Sequence, residues 1–211
     1  MKNIRKNVLN MKKFLTFIVI IAVCFTSYFF DFEEKSKADI TENNAVVDIN
    51  NLEEALKIHY INIGQADAIL IQQNNKAMLI DSGEYETRET VNEYLKRQNI
   101  SKIDYVVATH PHADHIGAMS SIIDNFDIGK VLISKKTHTT NVYKRFLESI
   151  NRKNIEKVIP QVGDKFDFGK ANFEIVGPTY TSDYNDNTNN YSLVLKLTYG
   201  NNTYVSFKTK E

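Results

Sequence analysis

The sequence predicts an α/β (α+β) domain in which two mixed sheets carry helices on their outer faces. Three observations predict it. Residues 57–82 read as a meander of short, alternating apolar runs separated by turn residues, the mark of hairpins. The stretch "KIDYVVAT" (102–109) is an apolar run of strand length, and its continuity points to burial on both faces. Helical patterns lie between the later strands without the strict βαβα alternation of one doubly wound sheet.

Each element has its own signal. "KIHYINI" alternates and is β-branched, so it reads as a strand; "GQA" turns the chain and "DAILIQQ" returns it. "NNK" is a hairpin turn, and "AMLIDS" is the third strand. "TRETVNEYLKRQ" (87–98) has helical spacing, with Val91, Tyr94 and Leu95 on one side, and Asn99 ends it. After the strand at 102–109, Asp114 to Asn125 reads as one helix, "KVLIS" as a strand and "TNVYKRFLESINRK" as an amphipathic helix. "EKVIP" is a strand, "KFDFGKANFEIVGP" two strands turning at Gly169, and "YSLVLKLTYGNNTYVSF" a hairpin turning at Gly200, Asn201 and Asn202. No internal repeat of fixed period is found.

Composition sets the outer limits. A chain of 211 residues, 42% hydrophobic and 25% charged, allows one ordinary domain plus an extension. The formal net charge is zero, which removes the electrostatic argument for a nucleic-acid partner without excluding one. The single cysteine rules out an internal disulfide.

The N-terminus differs in kind from the rest. A basic stretch, "MKNIRKNVLNMKK", precedes the apolar run Phe14 to Phe30, and "DFEEKSKAD" follows. That layout predicts an export signal or membrane anchor over residues 1–30, with the body of the protein outside. No small-x-small cleavage site follows directly, so an uncleaved anchor is preferred to a removed peptide. Cys24 lies within the apolar run and reads as a buried thiol rather than a lipid attachment site. Residues 31–55, rich in Asp, Glu, Asn and Lys, read as a polar linker; the "NLEEALK" at its end supports a short helix or loose chain equally. The folded domain is expected over residues 56–211.

The chemistry concentrates in "THPHADHIGAM" (109–119), which holds three of the five histidines of the chain. Pro111 biases His110 to an extended conformation, so His110 and His112 flank a rigid ring and can converge on one point. Asp114 and His115 fall in the first turn of the next helix and lean back over the strand end. Imidazole nitrogen at about 2.0–2.1 Å and carboxylate oxygen at about 2.0–2.2 Å suit zinc. Asp114 and His115 point away from the His110/His112 pair, so two neighbouring metal positions are expected, of the kind that clamp both oxygens of a displacement. His59 lies in a strand and His138 in a Thr-rich stretch; each is lone and reads as structural or exposed. Asp81, in "LIDSG", supports two readings equally: a carboxylate that fixes the tautomer of a metal-bound histidine, or a turn former before Ser82-Gly83.

His110, His112, Asp114 and His115 form an HxHxDH motif that resembles the metal motif of the metallo-β-lactamase superfamily. The words "INIGQADAILIQ", "MLIDSG", "THPHADHIGA" and "NNYSLVLKLTYG" are similar, in order, to the extracellular metallo-hydrolase domain of the competence protein ComEC and its free-standing relatives, over roughly residues 57–207. The resemblance implies an αββα sandwich with the metal site at one edge of the sheets. It implies His110 and His112 on one ion, Asp114 and His115 on the other, Asp114 catalytic as well as ligating, and Asp81 in the site behind them. It also implies hydrolysis of phosphodiester or nucleic-acid substrates. In this family a Gly-Asp pair and a later histidine follow the strand corresponding to "SLVLKLTYG"; here no Asp follows Asp186 and no His follows His138. The family's histidine between the two halves falls on "NDNTNNYS", where ComEC-like members also tend to carry asparagines. The second half is therefore expected to be incomplete, with an open apolar edge at the last hairpin. Two zinc ions are implied for an intact member, and one or none for this chain.

Three functions follow from this reading. One is an exported or membrane-anchored zinc hydrolase. Another is a truncated, catalytically impaired form of such an enzyme, and impaired turnover is the expectation for this polypeptide. The third is a non-catalytic metal- or partner-binding module at the cell surface. No protein partner is inferable, and β-lactam hydrolysis is not supported by the flanking words.

Overall fold

In a computed structural model of the protein, the parallel core of the first sheet explains why the apolar runs of the sequence lie where they do. The structure describes residues 55–179 and 187–205, all within one unit spanning Asn50–Glu211. The apolar segment Phe14 to Phe30, Cys24, the linker, most of "NLEEALK", Asp186 and the end of the last hairpin lie outside the described residues. Among the described residues no helix is long and apolar enough to cross a membrane.

The first sheet has six strands in chain order: β1 Lys57–Tyr60, β2 Ile69–Gln73, β3 Lys76–Ile80, β4 Lys102–Ala108, β5 Asp127–Ile133 and β6 Glu156–Val158. β1, β2 and β3 pair antiparallel, as the hairpin signals predict. The β2–β3 turn places Asn74 at φ 53°, a left-handed conformation that asparagine tolerates well. From β3 to β6 every pairing is parallel, so these four strands share one C-terminal edge. The second sheet is antiparallel, in the order β10-β9-β8-β7, from β7 Lys165–Phe168, β8 Ala171–Gly177, β9 Val194–Tyr199 and β10 Asn202–Val205.

Four helices connect the first sheet: α1 Arg88–Arg97, α2 Ala113–Ile116, α3 Met119–Asn125 and α4 Asn141–Arg152. Asn99 ends α1 in a left-handed conformation, φ 57°, with the Ile100 N–H closing back on the Leu95 carbonyl. α4 starts at Thr140, whose hydroxyl accepts the Tyr143 N–H. The apolar stripes of α1, α3 and α4 (Val91, Leu95, Met119, Ile122, Phe146, Ile150) pack on Leu70, Leu79, Val106 and Val131 of the first sheet. The opposite faces of the same strands, through Met78, Ile80, Val107 and Leu132, bury Phe168, Phe173, Ile175, Leu195 and Leu197 of the second sheet. Phe166 stacks on Phe173 with ring centroids 4.9 Å apart, and Tyr105 meets Phe173 edge-on at 5.1 Å. Val106 and Val107 are adjacent yet both fully buried, one in each layer, which is why "DYVVA" carries no polar alternation.

Helix, sheet and sheet are thus three of the four layers of the αββα expectation. Among the described residues no α-helix covers the outer face of the second sheet. Its edge strand β10 closes an apolar groove lined by Ile58, Ile69, Met78, Leu195, Leu197 and Tyr204, and Tyr204 remains 44% exposed.

The structure departs from the sequence reading at one helix. The expected helix over 114–125 is two helices broken at Gly117 and Ala118. The Ala118 N–H leaves the helical pattern for the Gly83 carbonyl. A Cβ at Gly117 would meet the backbone of Glu84 and Tyr85, so the glycine exists to let the 84–85 loop lie directly on α2.

Candidate metal centre

The site is built at the C-terminal edge shared by the parallel strands. β3 delivers Asp81, β4 delivers Thr109 and the histidine turn, and β5 delivers the loop Ser134–Thr140. His112 is extended (φ −75°, ψ 151°) and its carbonyl accepts the N–H groups of His115 and Ile116, so α2 begins directly after it. Asp114 and His115 therefore occupy the first turn, as the sequence implied.

The four HxHxDH side chains come together as two pairs. His110 Nε2 lies 3.2 Å from His112 Nδ1. His115 Nε2 lies 3.3 Å from Asp114 Oδ2. Two ligands of one tetrahedral ion, each about 2.1 Å from it, would be separated by roughly this much. Within each pair the two atoms face each other across a gap that a shared proton or a cation can fill. The pairs are adjacent, since the His110 and His115 ring centroids are only 3.9 Å apart. Among the described residues no three His, Cys, Asp or Glu side chains converge on a single point. The donor set is thus two facing pairs rather than one closed cage, and each pair fits a zinc ion with open positions.

Behind the pairs lies Asp81, 3% exposed and held at φ 54°. Its Oδ2 accepts the His115 Nδ1–H at 2.7 Å and the Thr109 hydroxyl at 2.6 Å; its Oδ1 accepts the Thr109 N–H at 2.9 Å. The structure therefore brings Asp81 to the histidines, and the bond to Nδ1 leaves His115 Nε2 facing Asp114. Gly83, two residues on, adopts φ 73°, and any Cβ there would strike the side chains of Ile63 and Thr87. The "LIDSG" turn is fixed by backbone as well: the Ser82 N–H donates to the His115 carbonyl and the Gly83 N–H to Asp67.

Charge follows from this geometry. Burial pushes the Asp81 carboxyl above its usual range, and the bonds from His115 and Thr109 pull it partly back. Burial also works against a charge on His115, yet the bond to and charge of Asp81, with the charges of Asp114 and Asp67, outweigh it and raise its pKa. The same field of three carboxylates that holds a proton on His115 would favour a cation at its Nε2.

Two neighbouring regions complete the surroundings. His138, set aside in the sequence as lone, places its ring centroid 6.1 Å from that of His112, nearly perpendicular to it. Its Nδ1 accepts the Thr140 N–H at 3.3 Å, so a neutral ring carries its proton on Nε2. Nothing in the local sequence marks it; the signal is topological, because the loop after β5 follows the parallel neighbour of the histidine strand. Across the edge, the turn Thr188–Tyr191 is tied down by Ser134 Oγ donating to the Tyr191 carbonyl at 2.7 Å and by the Leu193 N–H donating to Thr109 O at 2.9 Å. Lys136 Nζ sits 4.9 Å from the centre of the Tyr191 ring. Within that turn Asn189 Oδ1 is buried without a hydrogen-bond partner. His59 remains on β1, bonded through Nδ1 to the Tyr94 hydroxyl at 2.9 Å.

Comparison with known proteins bears on this geometry. A model of the metallo-beta-lactamase superfamily matches residues 61–183. A probable metallo-hydrolase, YqjP of Bacillus subtilis (strain 168), is 30% identical over 112 residues, covering 49% of this chain and 33% of its own. The chain therefore spans about a third of the length of that curated relative. Among solved structures, the Rm3 metallo-beta-lactamase aligns with a TM-score of 0.52 at 14% identity, over 70% of this chain and 56% of its own. The metallo-beta-lactamase fold protein YhfI from Bacillus subtilis aligns at 0.50 and 13% identity, over 71% and 61%. A Cronobacter sakazakii metallo-beta-lactamase with a HARLDQ motif aligns at 0.50 and 14% identity, over 70% and 57%. At these identities the structural likenesses speak for the fold alone.

Proposed function

The chain belongs to the metallo-β-lactamase superfamily, a family of hydrolases that usually bind metal ions such as zinc, and from that premise we propose a zinc-dependent hydrolase of the ComEC-like branch. Its substrates are phosphodiesters, nucleic acid foremost, and it works outside the membrane to which the segment Phe14 to Phe30 anchors it. The observation that carries this reading is the pair of donor pairs, 3.2 and 3.3 Å across, set side by side over one buried carboxylate.

His110 and His112 would hold one ion, Asp114 and His115 the other. When bound there, zinc supplies Lewis acidity toward a phosphoryl oxygen and acidifies water. Asp114, on the first turn of α2 with its side chain 30% exposed, keeps one carboxylate oxygen free to orient an attacking water and accept its proton. Asp81 holds the His115 ring in place. His138 presents its Nε2–H from the loop after β5, where a substrate oxygen seated beside His112 meets it.

One observation favours a second reading, a weakly metallated site with little turnover. Each pair offers two protein donors, whereas catalytic zinc generally takes three. Metal content and hydrolysis separate the two. The purified full-length protein is loaded with zinc, its stoichiometry measured, and its activity followed on bis(p-nitrophenyl) phosphate and single-stranded DNA. The proposal expects two bound zinc ions and turnover; replacing His110 and His112 together with Ala should remove one of the ions and abolish turnover. Zinc stoichiometry unchanged in that variant would refute the ligand assignment, and bound zinc without turnover would favour the second reading.

A further inference from the structure

The geometry points to Thr109 as a positioning residue: its hydroxyl passes the influence of Asp81 on to His110, so that one buried carboxylate sets the tautomer of one ring in each donor pair. The inference rests on the zinc reading for its functional meaning, although its structural content does not depend on any bound metal.

A hydroxyl has one proton to give and lone pairs to receive with. Thr109 Oγ lies 2.6 Å from Asp81 Oδ2 and 3.2 Å from His110 Nδ1. Asp81 is faced by three donors, namely the Thr109 N–H, the Thr109 hydroxyl and the His115 Nδ1–H, a set that an ionised carboxylate accepts in full. The hydroxyl proton therefore goes to Asp81. Only lone pairs remain on Oγ toward His110, so the nitrogen that meets it must carry the hydrogen. A neutral His110 is thereby held with its proton on Nδ1 and its lone pair on Nε2, the atom 3.2 Å from His112 Nδ1. An unconstrained neutral histidine side chain prefers the opposite tautomer, with the proton on the nitrogen remote from the backbone. His115 receives the same instruction from Asp81 directly. The two bonds from Thr109 to Asp81, one through the backbone and one through the hydroxyl, also fix the end of β4 against the turn after β3.

The test uses the full-length protein and two variants, T109V and T109S. Long-range proton–nitrogen correlation spectra of the metal-free protein, taken at one pH above the imidazole range, report which ring nitrogen of His110 is protonated. Wild type and T109S are expected to show the proton on Nδ1, and T109V to shift it toward Nε2. Zinc affinity, read by competition with a chromophoric chelator, should fall about 10- to 100-fold in T109V and be restored in T109S. A His110 tautomer unchanged in T109V would overturn the relay, as would an affinity loss that T109S fails to rescue. Failure of the wild type to bind zinc would count against the proposed function instead, while the tautomer spectra would still decide the relay.

Discussion

The two sheets of this protein pack on one another yet do different work. In the first, β3 to β6 run parallel, so the loops after β3, β4 and β5 leave from one edge. Those loops, with the first turn of α2, carry Asp81, Thr109, the HxHxDH side chains and His138. In the second, β7 to β10 are antiparallel and alternate edges, and the sheet supplies apolar cover plus backbone ties such as Leu193 N–H to Thr109 O. The difference teaches that strand direction decides where chemistry can gather: parallel strands bring distant sequence segments to one mouth, whereas an antiparallel meander disperses its turns.

If that division is real, damage to the two sheets should be separable. The largest effect is expected from Phe173→Ala. This side chain is fully buried between the sheets, and its loss should lower stability by about 3–5 kcal/mol. Zinc affinity of the molecules that remain folded should be unchanged. Chemical denaturation and chelator competition on the same variant check both halves, and a matching loss of affinity would break the comparison.

The complementary change is Asp81→Asn. It sets an amide where three donors converge and loosens both His115 and Thr109. Zinc should bind about 10- to 100-fold more weakly, in a protein that still folds. Isothermal titration reads this, and wild-type affinity would remove Asp81 from the site.

The pH dependence sharpens the contrast further. Asp81 and His115 both titrate higher in the folded chain than in the unfolded one, so the metal-free fold holds more protons than the unfolded chain. Its stability should fall as pH rises from the ordinary carboxylate range through and beyond the ordinary imidazole value. The metal-free protein should melt higher at pH 6 than at pH 8, by on the order of a few degrees. Zinc requires the same groups deprotonated and should therefore stabilise more at pH 8. A metal-free melting temperature that rises over this interval would contradict the account.

The smallest effect is expected at His138→Ala. Its ring is half-buried on a loop, so stability should change by no more than about 0.5 kcal/mol. A loss of kcat/KM of roughly tenfold, with zinc content intact, would fit a donor to substrate; unchanged kinetics would leave it a surface residue.

Much of this was legible in the sequence, for local reasons. The hairpins at 57–82, the doubly buried strand at 102–109 and the amphipathic helix at 140–153 declare themselves through periodicity and turn residues. The histidine turn declares itself through ligand spacing. What stayed hidden depends on contacts between distant segments. The break at Gly117 follows from the 84–85 loop pressing on α2. The place of His138 follows from β5 lying parallel to β4. Asp81 reads equally as turn former or ligand support from its own residues, the family resemblance puts it in the site, and the fold sets its carboxylate 2.7 Å from His115 Nδ1. Thr109 lies within the motif, yet its role depends on Asp81 and His110 together, which only the fold brings to one hydroxyl.

The measurement that bears most directly on the central claim is anomalous diffraction at the zinc edge from crystals grown with excess zinc. The account predicts zinc density between His110 Nε2 and His112 Nδ1, and again between Asp114 Oδ2 and His115 Nε2. Well-ordered rings turned into solvent, with no anomalous peak beside them, would contradict it.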